Sequence, residues 1–169
     1  MTITAAQLGD RSLFPTLEAQ VYLNHAAISA PSTPVHAAVV SVVDSYARLG
    51  IDAVGQWVEN RERLRHRLAT LIGAQSQDIA LLSNTTHGIV SVAQCLRWNA
   101  GDRVITFFGE FPTNVTPWQQ AAQTFDLECI QLPLPVDNEG LADLTLLTHE
   151  LERGVRLVAI SAVQFQTGW

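Results

Sequence analysis

The sequence of 169 residues contains no lysine. All ten basic residues are arginines, at positions 11, 48, 61, 63, 65, 67, 97, 103, 153 and 156. An arginine guanidinium stays protonated at any working pH, so it cannot take the place of lysine as a nucleophilic amine. Chemistry that starts from a side-chain amine is therefore excluded for the side chains of this chain.

Cysteine and net positive charge are also scarce. The two cysteines, Cys95 and Cys129, are too few for a disulfide framework, and their apolar contexts predict two buried thiols in a reducing compartment. The formal net charge is −6, which argues against non-specific nucleic-acid binding because that needs a cationic surface. The scattered histidines show no metal-ligand spacing, so no metal site is predicted.

Targeting and membrane signals are missing as well. The N-terminal stretch MTITAAQLGDRSLFPTL has neither a basic region nor an apolar region of the kind that secretory signals carry. No apolar run approaches the length needed to span a bilayer, although apolar residues make up 47% of the chain. These features predict a cytoplasmic protein with a hydrophobic core and no membrane partner.

The hydrophobic pattern divides the chain into two parts. Residues 1–77 are predicted to hold two helices, the first starting at Ser32-Thr33-Pro34 and the second at about 56–72. Residues 78–169 alternate between strands and helices. The predicted strands are 79–83, 103–108, 127–132 and 156–163, and the predicted helices are 86–97, 114–125 and 140–152. This alternation predicts an α/β fold with a mostly parallel sheet and flanking helices.

Three polar segments follow predicted strands, and ligands of open α/β sheets bind beyond the carboxyl ends of the strands. SNTTHG (83–88) opens a helix, where free N–H groups and threonine hydroxyls suit a phosphate, although Asn84 or Thr85 could simply cap that helix. GEFPTN (109–114) offers Phe111 for stacking on a planar ring, unless Phe111 packs into the core. QFQTGW (164–169) adds side-chain amides, or is an ordinary exit from a strand.

Four motifs together resemble the class V aminotransferase–cysteine desulfurase family of pyridoxal phosphate (PLP) enzymes. They are YLNHAA (22–27), LLSNTTHGI (81–89), GEFPTNVTPWQ (109–119) and VQFQTG (163–168). FPTN and VQFQTG are closer to the kynureninase and isopenicillin epimerase-like branches, since desulfurases usually carry a histidine where this chain has Phe111. The resemblance implies the first part of the large domain of fold type I PLP enzymes.

The resemblance also implies roles for particular residues. Thr85, Thr86 and His87 would hold the cofactor phosphate, and Phe111 would stack on the pyridine ring in a pocket shared with Thr86. Gln164 would lie near the phenolic oxygen of the ring or near the substrate. Asn24 and His25 would lie at the substrate mouth. No catalytic residue is assigned.

The family binds its cofactor covalently through a lysine, with an acidic partner on the pyridine nitrogen. Both come after the fourth strand in the family, so covalent attachment is not expected in this chain. We therefore expect an incomplete N-terminal part of an enzyme that acts on an amino acid and is a homodimer when complete. Two alternatives stay open, namely a non-catalytic phosphate or small-molecule binding domain and a dimerisation partner of a full-length homologue.

The family also implies a strand order in which 103–108, 127–132 and 156–161 are parallel neighbours. The segment 79–83 would lie apart from them, next to strands that the chain does not supply. Because buried unpaired backbone groups are costly, the isolated chain is expected to be poorly stable or to depend on a partner.

Overall fold

The computed structural model describes residues 10–135 and 143–168. The chain forms two compact units that divide between Ala80 and Leu81. The first unit holds two long helices, α1 (Thr33–Leu49) and α2 (Val54–Ile72), joined by a 3-10 turn at Gly50–Ala53. Helix α1 begins with a proline in its first turn after Ser32, as the sequence predicts.

Within the first unit, part-buried polar contacts hold the helices and the turn after α2 in place. The indole N–H of Trp57 donates to the Ser45 hydroxyl over 2.9 Å, which links α2 to α1. The Arg65 guanidinium donates to the carbonyls of Ser76 and Ile79 at 2.7 and 2.9 Å. Arg65 is thereby an anchor for the turn after α2.

The second unit is built on a parallel sheet of three strands, β1 (Arg103–Phe107), β2 (Glu128–Leu132) and β3 (Leu157–Val158). Their order is β2-β1-β3, and β1 pairs in parallel with both neighbours. The prediction that these three segments are parallel neighbours is confirmed. Helices α3 (Thr85–Cys95), α4 (Thr116–Phe125) and α5 (Thr145–Glu152) flank the sheet.

Strand β1 is the centre of the core because alternate side chains face opposite layers. Val104 packs with Ala93 of α3 and with Trp118 and Ala121 of α4. Ile105 and Phe107 pack on the other face, in a cluster that includes Leu132 and Leu147 of α5. These residue sets are fully or largely buried, so β1 fixes where its loop at the carboxyl end emerges.

The amino end of β1 is fastened by Arg103. Its guanidinium pairs with Glu128 of β2 at 2.9 Å and with Glu150 of α5, and it also donates to the carbonyl of Gly154 over 3.1 Å. This cluster ties α5 to the sheet at the edge opposite the loops that carry the predicted site. Its role is structural.

Two predicted strands differ from the structure. The segment 79–83 is not a strand among the described residues, because a strand needs a neighbour to hydrogen-bond with and the sheet contains only β1, β2 and β3. The strand predicted at 156–163 is only Leu157–Val158. The chain leaves the sheet soon after, because the backbone N–H of Ser161 donates to the Glu110 carboxylate instead of to a strand.

Three further expectations are corrected or limited. The helix predicted at 140–152 is α5 from Thr145, and 140–142 lie outside the described residues. The predicted helix 114–125 is a 3-10 turn at Pro112–Asn114 followed by α4. Cys95 is exposed, because it lies about half a turn beyond Ala93, which faces the core; Cys129 is half-buried. No helix in the described ranges is long and apolar enough to cross a bilayer.

Candidate cofactor-binding site

Helix α3 opens with an asparagine cap. Asn84 is extended, and its side-chain oxygen accepts from the backbone N–H of His87 over 2.8 Å. The alternative role of Asn84 as a helix cap is therefore correct. The cap satisfies the N–H of His87, whereas Thr85 and Thr86 lie in the first turn, where backbone N–H groups have no acceptor within the helix. These two N–H groups can point to an anion.

Side-chain hydroxyls surround this helix start. The Thr86 hydroxyl lies 2.9 Å from the Thr113 hydroxyl, which joins α3 to the loop after β1. Nδ1 of His87 lies 3.2 Å from the Ser83 hydroxyl on the preceding turn. All four side chains are at least partly exposed, so they can exchange these neutral contacts for contacts with a bound anion. The structure thus brings Thr85, Thr86 and His87 together at one helix start.

A cavity of about 420 Å³ adjoins this cluster between α3 and α4. Thr86 lines it, together with the proline and threonine pairs Pro112, Thr113, Thr116 and Pro117. Phe111 is next in sequence to this lining and is not part of it. The pocket shared by Thr86 and Phe111 stays a prediction.

The Phe111 side chain does not pack into the core. It is 51% exposed and meets the Phe165 ring edge to face, with ring centroids 5.2 Å apart and an interplanar angle of 89°. This geometry is the favoured one for two aromatic rings, and it leaves a Phe111 face open for another flat group. The alternative in which Phe111 is a core residue is wrong.

Gln164 is buried and holds its own loop together. Its amide nitrogen donates to the Gly109 carbonyl, and its amide oxygen accepts from the backbone N–H groups of Gln166 and Thr167, each over 2.7 Å. The oxygen is therefore committed to the loop, and the second amide N–H is what Gln164 can offer to a ligand. Gly109 faces this amide with a φ of 79°, and a Cβ there would lie 3.4 Å from the amide nitrogen.

Glu110 was missed by reasoning from the sequence. The residue is 7% exposed, and its carboxylate accepts from the backbone N–H and the hydroxyl of Ser161 at 2.7 and 2.5 Å and from the Asn114 amide at 3.1 Å. Burial acts to raise the pKa of Glu110, but the hydrogen bonds from Ser161 and Asn114 outweigh it and hold the pKa below its ordinary value. The sequence offered one sign of this role, namely a carboxylate in the segment that follows a predicted strand.

Asn24 and His25 belong to the first unit. The His25 ring meets Tyr22 edge to face at 4.9 Å, and its Nδ1 lies 3.1 Å from the Ser29 hydroxyl. The Asn24 carbonyl accepts from the N–H groups of Ala27 and Ile28, which closes a turn. These contacts explain the local shape of the YLNHAA motif, and the substrate-binding role of both residues stays a prediction.

Comparison with known proteins gives independent evidence on the family of this chain. The family described as aminotransferase class-V matches residues 21–169. An uncharacterized aminotransferase of Bacillus subtilis is 30% identical over 146 residues, covering 82% of this chain and 38% of the relative. A cysteine desulfurase of Dickeya dadantii is 35% identical over 106 residues, covering 60% of this chain and 25% of the relative.

A solved structure shares the fold. A C-DES mutant with glycine covalently linked to its PLP cofactor superposes with a TM-score of 0.76 at 24% identity, covering 88% of this chain and 40% of that one. The chain thus spans about two fifths or less of the length of these similar proteins. The match over residues 21–169 establishes that the chain belongs to the class-V aminotransferase family.

Proposed function

We propose that this chain supplies part of the cofactor site of a PLP-dependent enzyme that acts on an amino acid. One observation carries the proposal. At the carboxyl edge of a parallel sheet, the first turn of α3 with its threonine hydroxyls is bonded to the very loop that carries the exposed ring of Phe111. A phosphate site and a flat apolar surface on adjoining segments suit a cofactor with a phosphate and an aromatic ring.

The phosphate half of the proposal rests on helix α3. The N–H groups of Thr85 and Thr86 and the positive end of the helix dipole favour a dianion. The Thr86 hydroxyl, which lies 2.9 Å from the Thr113 hydroxyl, can donate to a phosphate oxygen instead. His87 would contribute its ring at the rim of the site, since its backbone N–H is already taken by Asn84.

The ring half rests on the loops after β1 and β3. Phe111 would lie against one face of the pyridine ring, held edge-on by Phe165. Gln164, which is anchored to Gly109, would direct its remaining amide N–H to the phenolic oxygen or to the substrate. When bound, the cofactor supplies the electron sink that amino-acid chemistry of this class needs.

The residues present fit a bound cofactor but not its covalent attachment. The sequence contains no lysine, and an arginine guanidinium does not lose its proton to become a nucleophile. We propose that this chain is inactive alone and corresponds to the N-terminal part of its longer relatives. We propose that the whole enzyme is a homodimer in the cytoplasm. Asn24 and His25 would lie at the mouth of its substrate site.

A second candidate is a domain that binds phosphate compounds without catalysis. One feature of the described site favours this candidate. Every residue assigned above would bind the ligand or hold another residue in place, and none of them supplies a nucleophile. A role as dimerisation partner of a full-length homologue is the third candidate. The second candidate predicts no turnover in any condition, and the third predicts turnover only from the full-length homologue that the chain accompanies. The first predicts turnover when the rest of the enzyme is supplied.

The test is binding of pyridoxine 5′-phosphate, which has the ring and the phosphate but no aldehyde. We expect saturable binding, followed by tryptophan fluorescence, that Thr86→Val weakens about tenfold because one hydrogen bond to a charged group is lost. Thr86→Ser keeps the hydroxyl and should bind like the parent chain. Thr124→Val is the matched control, since that hydroxyl is exposed and donates to the Gln120 carbonyl within α4. Equal binding by Thr86→Val and the parent chain would contradict the phosphate assignment.

A further inference from the structure

Three contacts join the loop after β1 to the loop after β3. The Glu110 carboxylate accepts from Ser161, the Gln164 amide donates to the Gly109 carbonyl, and the Phe165 ring packs edge-on against Phe111. Two of these contacts are polar and part-buried, and the third is aromatic and half-exposed. The two aromatic rings are exposed, so a ligand can reach them, whereas Glu110 and Gln164 are buried.

The Glu110 carboxylate is unusual among these groups because it is a buried charge. In the described ranges, none of the ion pairs involves Glu110, so its charge is stabilised by neutral donors alone. Burial of a charge is costly unless hydrogen bonds compensate. Three donors do so here, from the Ser161 backbone, the Ser161 side chain and the Asn114 side chain.

The donors belong to two different parts of the site, the exit of β3 and the turn before α4. Ser161 begins the loop that leads to Gln164 and Phe165, and its N–H turns to Glu110 as the chain leaves β3. Asn114 ends the 3-10 turn that follows Phe111, and its amide oxygen accepts from the Trp118 indole over 3.4 Å. One carboxylate therefore connects β1, the exit of β3 and the start of α4.

We propose that Glu110 is a positioning residue that fixes the Phe111 ring by holding the loop that carries Phe165 against the loop that carries Phe111. We call this set of hydrogen bonds to the Glu110 carboxylate the clamp. Glutamine has the same shape but no charge and only one acceptor oxygen, and its NH₂ group would face the NH₂ group of Asn114, so the clamp would be weakened. The importance of the ring direction for binding rests on the proposed function above. The role of Glu110 in holding the two loops together does not depend on the proposed function.

The first test is made on the ligand-free chain by ¹⁹F NMR after labelling with 4-fluorophenylalanine. The Phe111 signal is the one missing from Phe111→Leu. Phe165→Leu defines its position without the neighbouring ring. We expect Glu110→Gln to move the Phe111 signal towards that position, and Ser161→Ala, which removes one donor, to move it a shorter way in the same direction.

Glu152→Gln is the matched control, since that carboxylate is exposed at the end of α5 and should leave the signal unchanged. A Phe111 signal that stays at the parent position in folded Glu110→Gln would overturn the proposal. If Glu110→Gln does not fold, Ser161→Ala decides, and an unmoved signal there has the same meaning. A loss of stability alone would broaden all six phenylalanine signals and would not move one of them to the Phe165→Leu position.

The second test separates this inference from the proposed function. Pyridoxine 5′-phosphate has a ring, and inorganic phosphate does not. We expect Glu110→Gln to weaken the first about tenfold, the loss of one to two aromatic contacts, and to leave the second within about twofold. Equal loss of both would overturn the positioning role. Absence of binding of both ligands to the parent chain, with the ¹⁹F shift present, would contradict the proposed function and leave the clamp established.

Discussion

The cap of α3 allows stability and anion binding to be changed in opposite directions. Asn84 accepts from the His87 N–H over 2.8 Å and is exposed, so Asn84→Asp keeps the cap and adds a negative charge to the positive end of the helix. We expect the free energy of unfolding to stay the same or to rise by about 0.3–1 kcal/mol at neutral pH. Asn84→Ala should lower it by about 1 kcal/mol, because the cap is lost.

Anion binding should respond in the opposite sense. We take a separation of about 7 Å between the new carboxylate and a phosphate dianion at the N–H groups of Thr85 and Thr86, since all lie at the first turn of α3, whose pitch is about 5.4 Å. In a water-like medium each pair of unit charges at that distance repels by about 0.6 kcal/mol, so the dianion loses about 1.2 kcal/mol, or roughly eightfold in affinity. Asn84→Ser, an uncharged cap, should bind like the parent chain.

The assay combines urea unfolding with titration of inorganic phosphate at low and at high salt. The effect of Asn84→Asp on phosphate affinity should shrink at 1 M salt, where the Debye length is about 3 Å. Unchanged phosphate affinity in Asn84→Asp at low salt would refute the phosphate site at α3. A loss of stability in Asn84→Asp equal to that in Asn84→Ala would refute the cap.

Three further predictions concern stability and chemistry. Gly109→Ala and Gly101→Ala both place alanine at a positive φ, at a cost of about 1–2 kcal/mol each. Urea unfolding should show a larger loss for Gly109→Ala, because only there does the new Cβ approach Gln164, to 3.4 Å. The pKa values of Glu110 and Glu150 are lowered in the folded chain. Their contribution to stability is therefore complete above the ordinary glutamate pKa and is lost as the pH falls through the lower folded values. When the urea midpoint is measured against pH, Glu110→Gln should show a smaller fall on the acid side than the parent chain. Borohydride reduction after addition of PLP should give no stoichiometric, site-specific adduct on the parent chain, since the sequence has no lysine, and an intact-mass increase of one cofactor per chain would contradict this.

The sheet could be predicted because its signals are local. β1 and β2 are short apolar runs separated by helices, and such runs form parallel neighbours in a right-handed crossover arrangement. The segment 79–83 (IALLS) is at least as apolar as β1 and β2, yet it is no strand, since strand formation depends on a hydrogen-bonding neighbour. Composition reports the tendency of a segment to extend, and only the partner makes it a strand.

The site was predictable at the level of its segments. Loops after strands 103–108 and 156–163 meet at one edge in any parallel arrangement, and they do so through Glu110, Gln164 and Phe165. The particular bonds were not predictable, because the link from Glu110 to Ser161 joins residues that are 51 positions apart. The cap at Asn84 was expected as an alternative because caps act over three residues.

The central claim is that one chain segment binds phosphate at α3 while the adjoining loop meets a ring at Phe111. Amide chemical shifts in a ¹⁵N-labelled chain, recorded during titration with pyridoxine 5′-phosphate, test it most directly. We expect the largest shifts at Thr85, Thr86 and His87 and in the loop from Gly109 to Asn114, with small shifts in α5. Shifts centred on α1, or shifts at α3 without any in the loop after β1, would contradict it.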